Sequence, residues 1–331
     1  MKNSLINDLI KNKLVFKTCL KSITSKNGYH HSASAWTTGS LEPNSKYVPT
    51  YKEVDESQFL QLQDFILEHP KLFILTGAGV STESGIPDYR SEGVGRYATS
   101  TSRPIQYADF LKSAASRQRY WARNYIGWPQ FSSFQPNQSH YILSNWERKG
   151  LIHWLVTQNV DALHYKAGSQ KVTELHGSAH RVICLSCKYQ LSRHAMQELI
   201  ANINLDWSAD VMGVAPDGDV DLTSNQVQNF KVPECPKCKG ILKPDLTFFG
   251  DNVPKETVHF VLEKLFESDA MLVIGSSLEV YSGYRFAYRA HEHGMKIGVI
   301  NIGPTRGDKF VDIKVSAKCS DVLQRLDQKS Q

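Results

Sequence analysis

Residues 73–91, FILTGAGVSTESGIPDYRS, join a short apolar run to two closely spaced glycines and a cluster of small hydroxylated residues. A strand that ends in such a turn forms a loop able to cradle phosphate, because glycine lets backbone approach an anion closely. Many dinucleotide folds open this way and transfer hydride, but the tail Ile86-Pro87-Asp88-Tyr89-Arg90 lies outside that pattern. A second chemistry is offered by two Cys-x-x-Cys pairs, Cys184 with Cys187 and Cys235 with Cys238. Four thiolates in two knuckle-like pairs suit tetrahedral zinc, and in a reducing compartment they point to metal rather than disulfides. Such a site is closed to water, so its ion holds structure together and takes no part in reaction.

These residues must be positioned by a chain of 331 residues, enough for one large domain and a smaller one. Its net charge of +5 is local: residues 1–41 hold six Lys and one Asp, and the remaining 32 basic and 32 acidic residues cancel. A neutral body disfavours a general nucleic-acid surface, and no apolar run approaches the length of a membrane span. The leader, residues 1–36, has spaced lysines, interleaved Leu, Ile and Phe, several Ser and Thr, and almost no acid. It reads as a mitochondrial transit peptide. A Pro/Gly/Ser/Thr-rich linker follows at 37–50, so the folded body should begin near Tyr51.

Continuous apolar runs at 72–76, 153–158, 271–275, 297–301 and 312–316 read as strands buried on both faces. Helical stretches, such as 140–150 and 258–269, separate them. The pattern predicts an α/β fold, a doubly wound parallel sheet of Rossmann type over 51–179 and 251–325. Four of the runs end in polar residues or glycine, at Thr76-Gly77, Gln158-Asn159, Gly275-Ser276 and Asn301. Ligands of open parallel sheets bind beyond the carboxyl ends of strands, so these ends aim at one edge. Residues 180–250 break the rhythm and carry all four paired cysteines, as an inserted zinc-binding module would. Within it, residues 201–230 contain five Asp and no Lys or Arg, which reads as a solvated surface loop. The alternative is that this insertion folds over the substrate pocket.

Read together, GAGVSTESGIPDYRS (77–91), TQNVDALHYKAG (157–168), ELHGS (174–178), KPDLTFFGD (243–251), GSSLEVYSGY (275–284), NIGPTRGD (301–308) and the cysteine pairs resemble the sirtuins. These are NAD-dependent protein lysine deacylases, and the resemblance covers nearly everything from about 50 to 325. It implies that Gly77, Ala78, Gly79 and Ser81 surround the NAD diphosphate, with Pro87, Asp88, Tyr89, Arg90 and Tyr97 on a cofactor-binding loop. It places Gln158, Asn159, Val160 and Asp161 at the nicotinamide ribose and carboxamide. Gly275, Ser276, Ser277, Asn301, Ile302, Gly303 and Cys319 would hold the adenosine half.

Among twelve histidines, the family's His-Gly position falls on His176, with His164 and His180 as nearby rivals. The resemblance makes His176, assisted by Asn159, the catalytic group. The acyl oxygen of a modified lysine would displace nicotinamide, and His176 would be general base for the ribose hydroxyl that takes the acyl group. The products would be nicotinamide, free lysine and 2′-O-acyl-ADP-ribose. The substrate peptide would pair between LTFFGD and SLEVYS as an added strand.

Family members that remove succinyl groups carry a Tyr-x-x-Arg pair; here Ser100 stands three residues after Tyr97, with Arg96 and Arg103 nearby. That departure predicts poor desuccinylation. Resemblance to one mitochondrial branch implies 3-hydroxy-3-methylglutaryl-type, lipoyl or biotinyl groups on enzymes of the mitochondrial matrix, dehydrogenase complexes and carboxylases among them. Two other readings share the NAD site. One is mono-ADP-ribosyl transfer to an enzyme such as glutamate dehydrogenase; the other is a non-catalytic NAD sensor.

Overall fold

The computed structural model describes residues 45–100, 103–209 and 215–329, so the leader and its reading as a transit peptide lie outside the described residues. The longer helices are α1 (Glu56–Glu68), α2 (Tyr107–Lys112), α3 (Ala114–Ser133), α4 (Gln138–Arg148), α5 (Arg193–Ile203), α6 (Lys255–Phe266), α7 (Tyr281–Glu292) and α8 (Cys319–Lys329). The strands are β1 (Leu72–Thr76), β2 (Ile152–Thr157), β3 (Val172–Glu174), β4 (Gly177–Cys184), β5 (Gln190–Ser192), β6 (Leu242–Leu246), β7 (Ala270–Ile274), β8 (Lys296–Ile300) and β9 (Ile313–Val315). Among the described residues no helix is long and apolar enough to cross a membrane.

Helix α1 shows how local signals start an element. The Asp55 carboxylate accepts from the Gln58 N–H at 2.9 Å, and Phe59, Leu62, Phe65 and Ile66 fall at helical spacing on the buried face. β1 and β7 are buried at all five positions, as strands covered by helices on both faces must be. The main sheet runs β3-β2-β1-β7-β8-β9, with every pair parallel. From β1 the chain winds outward through β2 and β3, then returns to the other side of β1 with β7. The order therefore reverses between β1 and β7, which is where an open α/β sheet leaves a crevice at its carboxyl edge.

A second, antiparallel sheet, β5-β4-β6, lies between β3 and β7 in sequence. Its hydrophobic core is not confined to residues 180–250. Phe110, Trp121, Trp128 and Phe131, from α2 and α3, pack with Val182, Cys184, Met196, Cys235 and Phe248. The assignment of all of 51–179 to the nucleotide-binding domain is corrected accordingly: α2 and α3 bury their aromatic faces in the small lobe. The linker at 37–50 is also shorter than read, since Ser45–Tyr47 form a helical turn and Pro49 and Thr50 line the main cavity.

The glycine after β7 offers a direct test of this frame. Gly275 has φ +62°, and a Cβ there would lie 2.4 Å from the Val80 nitrogen. Gly150 has φ +83° with nothing within 4 Å of such a Cβ. Gly150→Ala should lose about 1 kcal/mol, the left-handed conformation alone. Gly275→Ala should lose about 3 kcal/mol or more, because backbone must also move. Equal losses in chemical denaturation would contradict the packing described.

Candidate active site

A cavity of about 940 Å³ opens at the β1/β7 switch point, and most of the sequence-selected residues line it. The loop leaving β1 contributes Gly77, Ala78, Gly79 and Ser81; the loop leaving β7 contributes Gly275, Ser276 and Ser277. The end of β2 supplies Gln158, Asn159, Val160 and Asp161, and the end of β8 supplies Asn301, Ile302 and Gly303. Asp88, Tyr89 and Arg90 form part of the rim. Gly77 and Gly79, expected at the phosphate, also make room for the second loop. A Cβ on Gly77 would lie 2.7 Å from that of Ser276, and one on Gly79 would lie 2.9 Å from the Gly275 carbonyl oxygen.

Three expected NAD contacts do not line the cavity: Pro87, Tyr97 and Cys319. The Tyr97 ring lies beneath two guanidinium groups, Arg90 at 5.5 Å and Arg103 at 4.9 Å from its centroid. Cys319 is packed in the core with Val315, Val322 and Leu323, and burial pushes its thiol up to about 12. Spacing alone could not distinguish a buried thiol from one facing a ligand.

Beneath the nucleotide loop, Asn159 Nδ2 donates to Ser81 Oγ at 3.0 Å, and Ser81 donates to Asp161 Oδ2 at 2.7 Å. Ala162 adopts φ +61°, and the Leu163 N–H donates to the other Asp161 oxygen at 2.9 Å. Burial raises the Asp161 pKa, and the Leu163 N–H and Ser81 hydroxyl oppose that shift by bonding the carboxylate. A polar, water-poor floor of this kind holds asparagine and aspartate in single orientations.

The three rival histidines separate by geometry. His164 is buried beside β1 with Nε2 3.0 Å from Thr76 Oγ1, and burial lowers it to about 3. His180 Nε2 is 3.2 Å from the Asp161 carbonyl, and burial lowers it to about 4. Only His176 of the three lines the cavity. Its Nδ1 is 2.8 Å from the Gln158 carbonyl and its Nε2 is 2.7 Å from Ser282 Oγ. A carbonyl only accepts, so Nδ1 carries the proton and Nε2 is the basic nitrogen. Burial, aided by the Arg285 charge, lowers the His176 pKa against the opposing Gln158 bond, so the ring is neutral at physiological pH.

Ser282 and Arg285 also line the cavity, as do Ile105, Phe248 and Val253. Sequence reading placed Ser282 only in the SLEVYS edge of the peptide site and gave Arg285 no role. Their signal was position, in the first two turns of the helix that follows the β7 loop.

The described part of the acidic insertion at 215–221 is packed against the protein and is not a solvated loop. Arg96 holds Asp221 through two bonds of 2.8 and 3.0 Å, and Arg123 lies 2.7 Å from Asp219. Gly127 of α3 meets the turn at Gly218 so closely that a Cβ would sit 2.2 Å from its carbonyl oxygen. Pro216 and Asp217 thereby become part of the cavity wall. Burial raises the Asp217 pKa and pushes Asp219 up to about 7 despite Arg123. The arginines stand about a hundred residues upstream, so the local charge pattern concealed the pairing.

The four paired cysteines meet at the far end of β4 and β6, with all Sγ atoms within 4.8 Å of one another. Cys184 and Cys238 are 3.5 Å apart, and Cys187 and Cys235 are 3.8 Å apart. Tetrahedral Zn–S bonds of about 2.3 Å place sulfurs about 3.8 Å apart, so the donor set fits one zinc ion.

Comparison with known proteins agrees with this geometry. The Sir2 family pattern matches residues 77–282. The chain is 55% identical over 288 residues to the "NAD-dependent protein lipoamidase sirtuin-4, mitochondrial" of Bos taurus, covering 87% of this chain and 91% of that protein. To the Homo sapiens protein of the same name it is 51% identical over 304 residues, covering 90% and 97% respectively. A solved Sir2 structure with a p53 peptide and NAD superposes with a TM-score of 0.64 at 26% identity, covering 82% of this chain and 97% of that one.

Two measurements follow. The folded pKa of His164 lies below its unfolded value, so the unfolded chain takes the proton first. The stabilisation is complete above about pH 6.5 and is lost as pH falls toward 3. Between pH 7 and pH 5 the wild type should lose about 2 kcal/mol more than His164→Asn in urea unfolding; parallel profiles would count against a neutral buried ring. Cys235→Ser should lose stoichiometric zinc and several kcal/mol of stability. Retention of one zinc per chain would show that the ligand set is different.

Proposed function

The chain belongs to the Sir2 family, and we propose on that premise that it removes long, uncharged acyl groups, lipoyl before others, from lysines of mitochondrial enzymes. Its activity is that of an NAD-dependent protein deacylase. NAD is co-substrate, and when bound it would supply the ribose carbon from which nicotinamide departs and to which the acyl oxygen bonds. The loops at Gly77–Ser81 and Gly275–Ser277 would hold its phosphate and adenosine portions, while Asn159 and Asp161 would address the nicotinamide end. His176 offers a neutral Nε2 at the cavity surface, suited to take the proton of the ribose hydroxyl. The family's extended peptide would enter between the strand-like edges at Thr247–Phe249 and Glu279–Tyr281, which line the same cavity.

The observation that carries the acyl reading is the insertion at the wall. Asp217 and Pro216 face the cavity, and the nearby cations are engaged: Arg96 with Asp221, Arg123 with Asp219, Arg103 with the Ser100 carbonyl and the Tyr97 ring. A short dicarboxylic acyl group placed against that wall would meet the Asp217 carboxyl, with Arg96, Arg103 and Arg123 already engaged. Lipoyl and biotinyl groups present apolar length and no negative charge, and relatives of high identity are named lipoamidases. A second reading, 3-hydroxy-3-methylglutaryl, is favoured by Arg90 and Arg285, which line the cavity. Mitochondrial location rests on the same relatives' names; residence in the matrix follows as part of the proposal.

Nicotinamide release against a panel of acyl-lysine peptides, with products weighed by mass spectrometry, decides among these. Lipoyl or biotinyl peptides should turn over at least about tenfold faster than succinyl, the effect of about 1.4 kcal/mol in the transition state. Fastest turnover of succinyl would overturn the acyl reading. ADP-ribose mass on protein without loss of acyl would favour the transferase. His176→Ala should lower turnover by about 100-fold or more while leaving zinc content and unfolding unchanged.

A further inference from the structure

The base nitrogen of His176 already has a partner. With Nδ1 bonded to the Gln158 carbonyl, the lone pair of Nε2 faces the Ser282 hydroxyl at 2.7 Å, and that hydroxyl must be the donor. We propose that Ser282 is the positioning residue for His176, holding the ring by its second nitrogen so that one tautomer and one orientation await the substrate. This rests on the deacylase reading, in which His176 is the base.

The placement of Ser282 is fixed from both sides. It lies in the first turn of α7, directly before Gly283, where a Cβ would stand 2.4 Å from the Gln158 side-chain oxygen. That contact locks the start of α7 against the end of β2. Gln158 is itself held, its amide donating to Ser276 Oγ at 2.8 Å, and its backbone carbonyl is the one that receives His176 Nδ1–H. The strand end that orients one face of the imidazole therefore also seats the helix that orients the other. A hydroxyl suits the position because it can act in both protonation states. It donates to Nε2 of the neutral ring, and by rotating its O–H about Cβ–Oγ it accepts from Nε2–H once the ring has taken a proton. Without it a buried imidazolium would lack a partner on that side, at a cost that low dielectric magnifies. One turn further along α7, Arg285 packs on the Tyr281 ring at 5.0 Å and opposes premature protonation of His176.

The test uses the full chain labelled with ¹⁵N in its imidazoles, free of ligand, with His176→Ala to assign the signals. In the wild type near neutral pH, Nδ1 should be protonated and Nε2 should show a lone pair that accepts a hydrogen bond. Ser282→Ala should move Nε2 to the frequency of a nitrogen without a donor, and Ser282→Thr should restore it. In turnover, Ser282→Ala should lower kcat by about 10- to 100-fold without raising KM for NAD or peptide, and Ser282→Thr should recover most of the loss. An Nε2 signal unchanged in Ser282→Ala overturns the proposal, as does unchanged kcat or a loss that Ser282→Thr fails to mend. If the wild type releases no nicotinamide with any acyl peptide, the deacylase reading fails on its own, and the nitrogen signal still decides the bond.

Discussion

The Gly79 N–H donates to the Gly275 carbonyl at 2.9 Å, and a methyl group on either glycine would strike the backbone of the other. This contact joins the loop after β1 to the loop after β7, the two strands between which the sheet reverses its order. Parallel strands fan apart at their carboxyl ends because the sheet twists. Two loops pressed together at the switch point turn that divergence into a walled crevice, with the ends of β2 and β8 on either side. The position of His176 is referred to this seam: Ser276 follows Gly275 and anchors Gln158, and Gln158 anchors His176.

The floor of the crevice carries the second constraint. Ser81, Asn159 and Asp161 bond one another, and the histidines at 140 and 164 lie beside them with their rings 4.8 Å apart. Burial holds both histidines neutral. Replaced by apolar residues of similar shape, such a layer would not obviously weaken the fold, since intramolecular bonds here replace bonds to water. What the layer gives is definition: each amide and carboxylate has one orientation, fixed before a ligand arrives. The turn that brings the Leu163 N–H onto Asp161 requires Ala162 in the left-handed region, a strained choice for a residue with a Cβ.

Much of this was legible from residue types. Continuous apolar runs located β1, β2, β7, β8 and β9 within a residue or two, because strands buried on both faces tolerate little else. Their polar ends located the cavity. Two features escaped for the same reason, that their partners are remote in sequence. The small lobe took in α2 and α3 because the Trp121 indole N–H bonds the Leu242 carbonyl and the Phe110 ring packs on Phe248, partners more than a hundred residues away. Gly77 and Gly79, read from the loop pattern as phosphate-facing, also lie against the Gly275–Ser276 loop, a neighbour that a single strand-loop pattern does not reveal. Cys319 looked like a ligand contact by position and proved to be core.

The insertion shows most clearly how charge pattern misleads when read locally. Five aspartates without a nearby base look solvated, yet Asp219 and Asp221 are drawn inward by Arg123 and Arg96. An ion pair taken out of water adds little net stability, because desolvation of both charges offsets their attraction. Burial of Asp219 outweighs its arginine, and its pKa climbs to about 7. Pairs of this kind are better understood as setting position, since an alternative path for the loop would strand a buried guanidinium. Arg123 stands on α3, whose aromatic face shares a core with Cys184 and Cys235. The thiolate cluster, the small-lobe core, α3 and the insertion thus form one mechanical series that ends at Pro216 and Asp217.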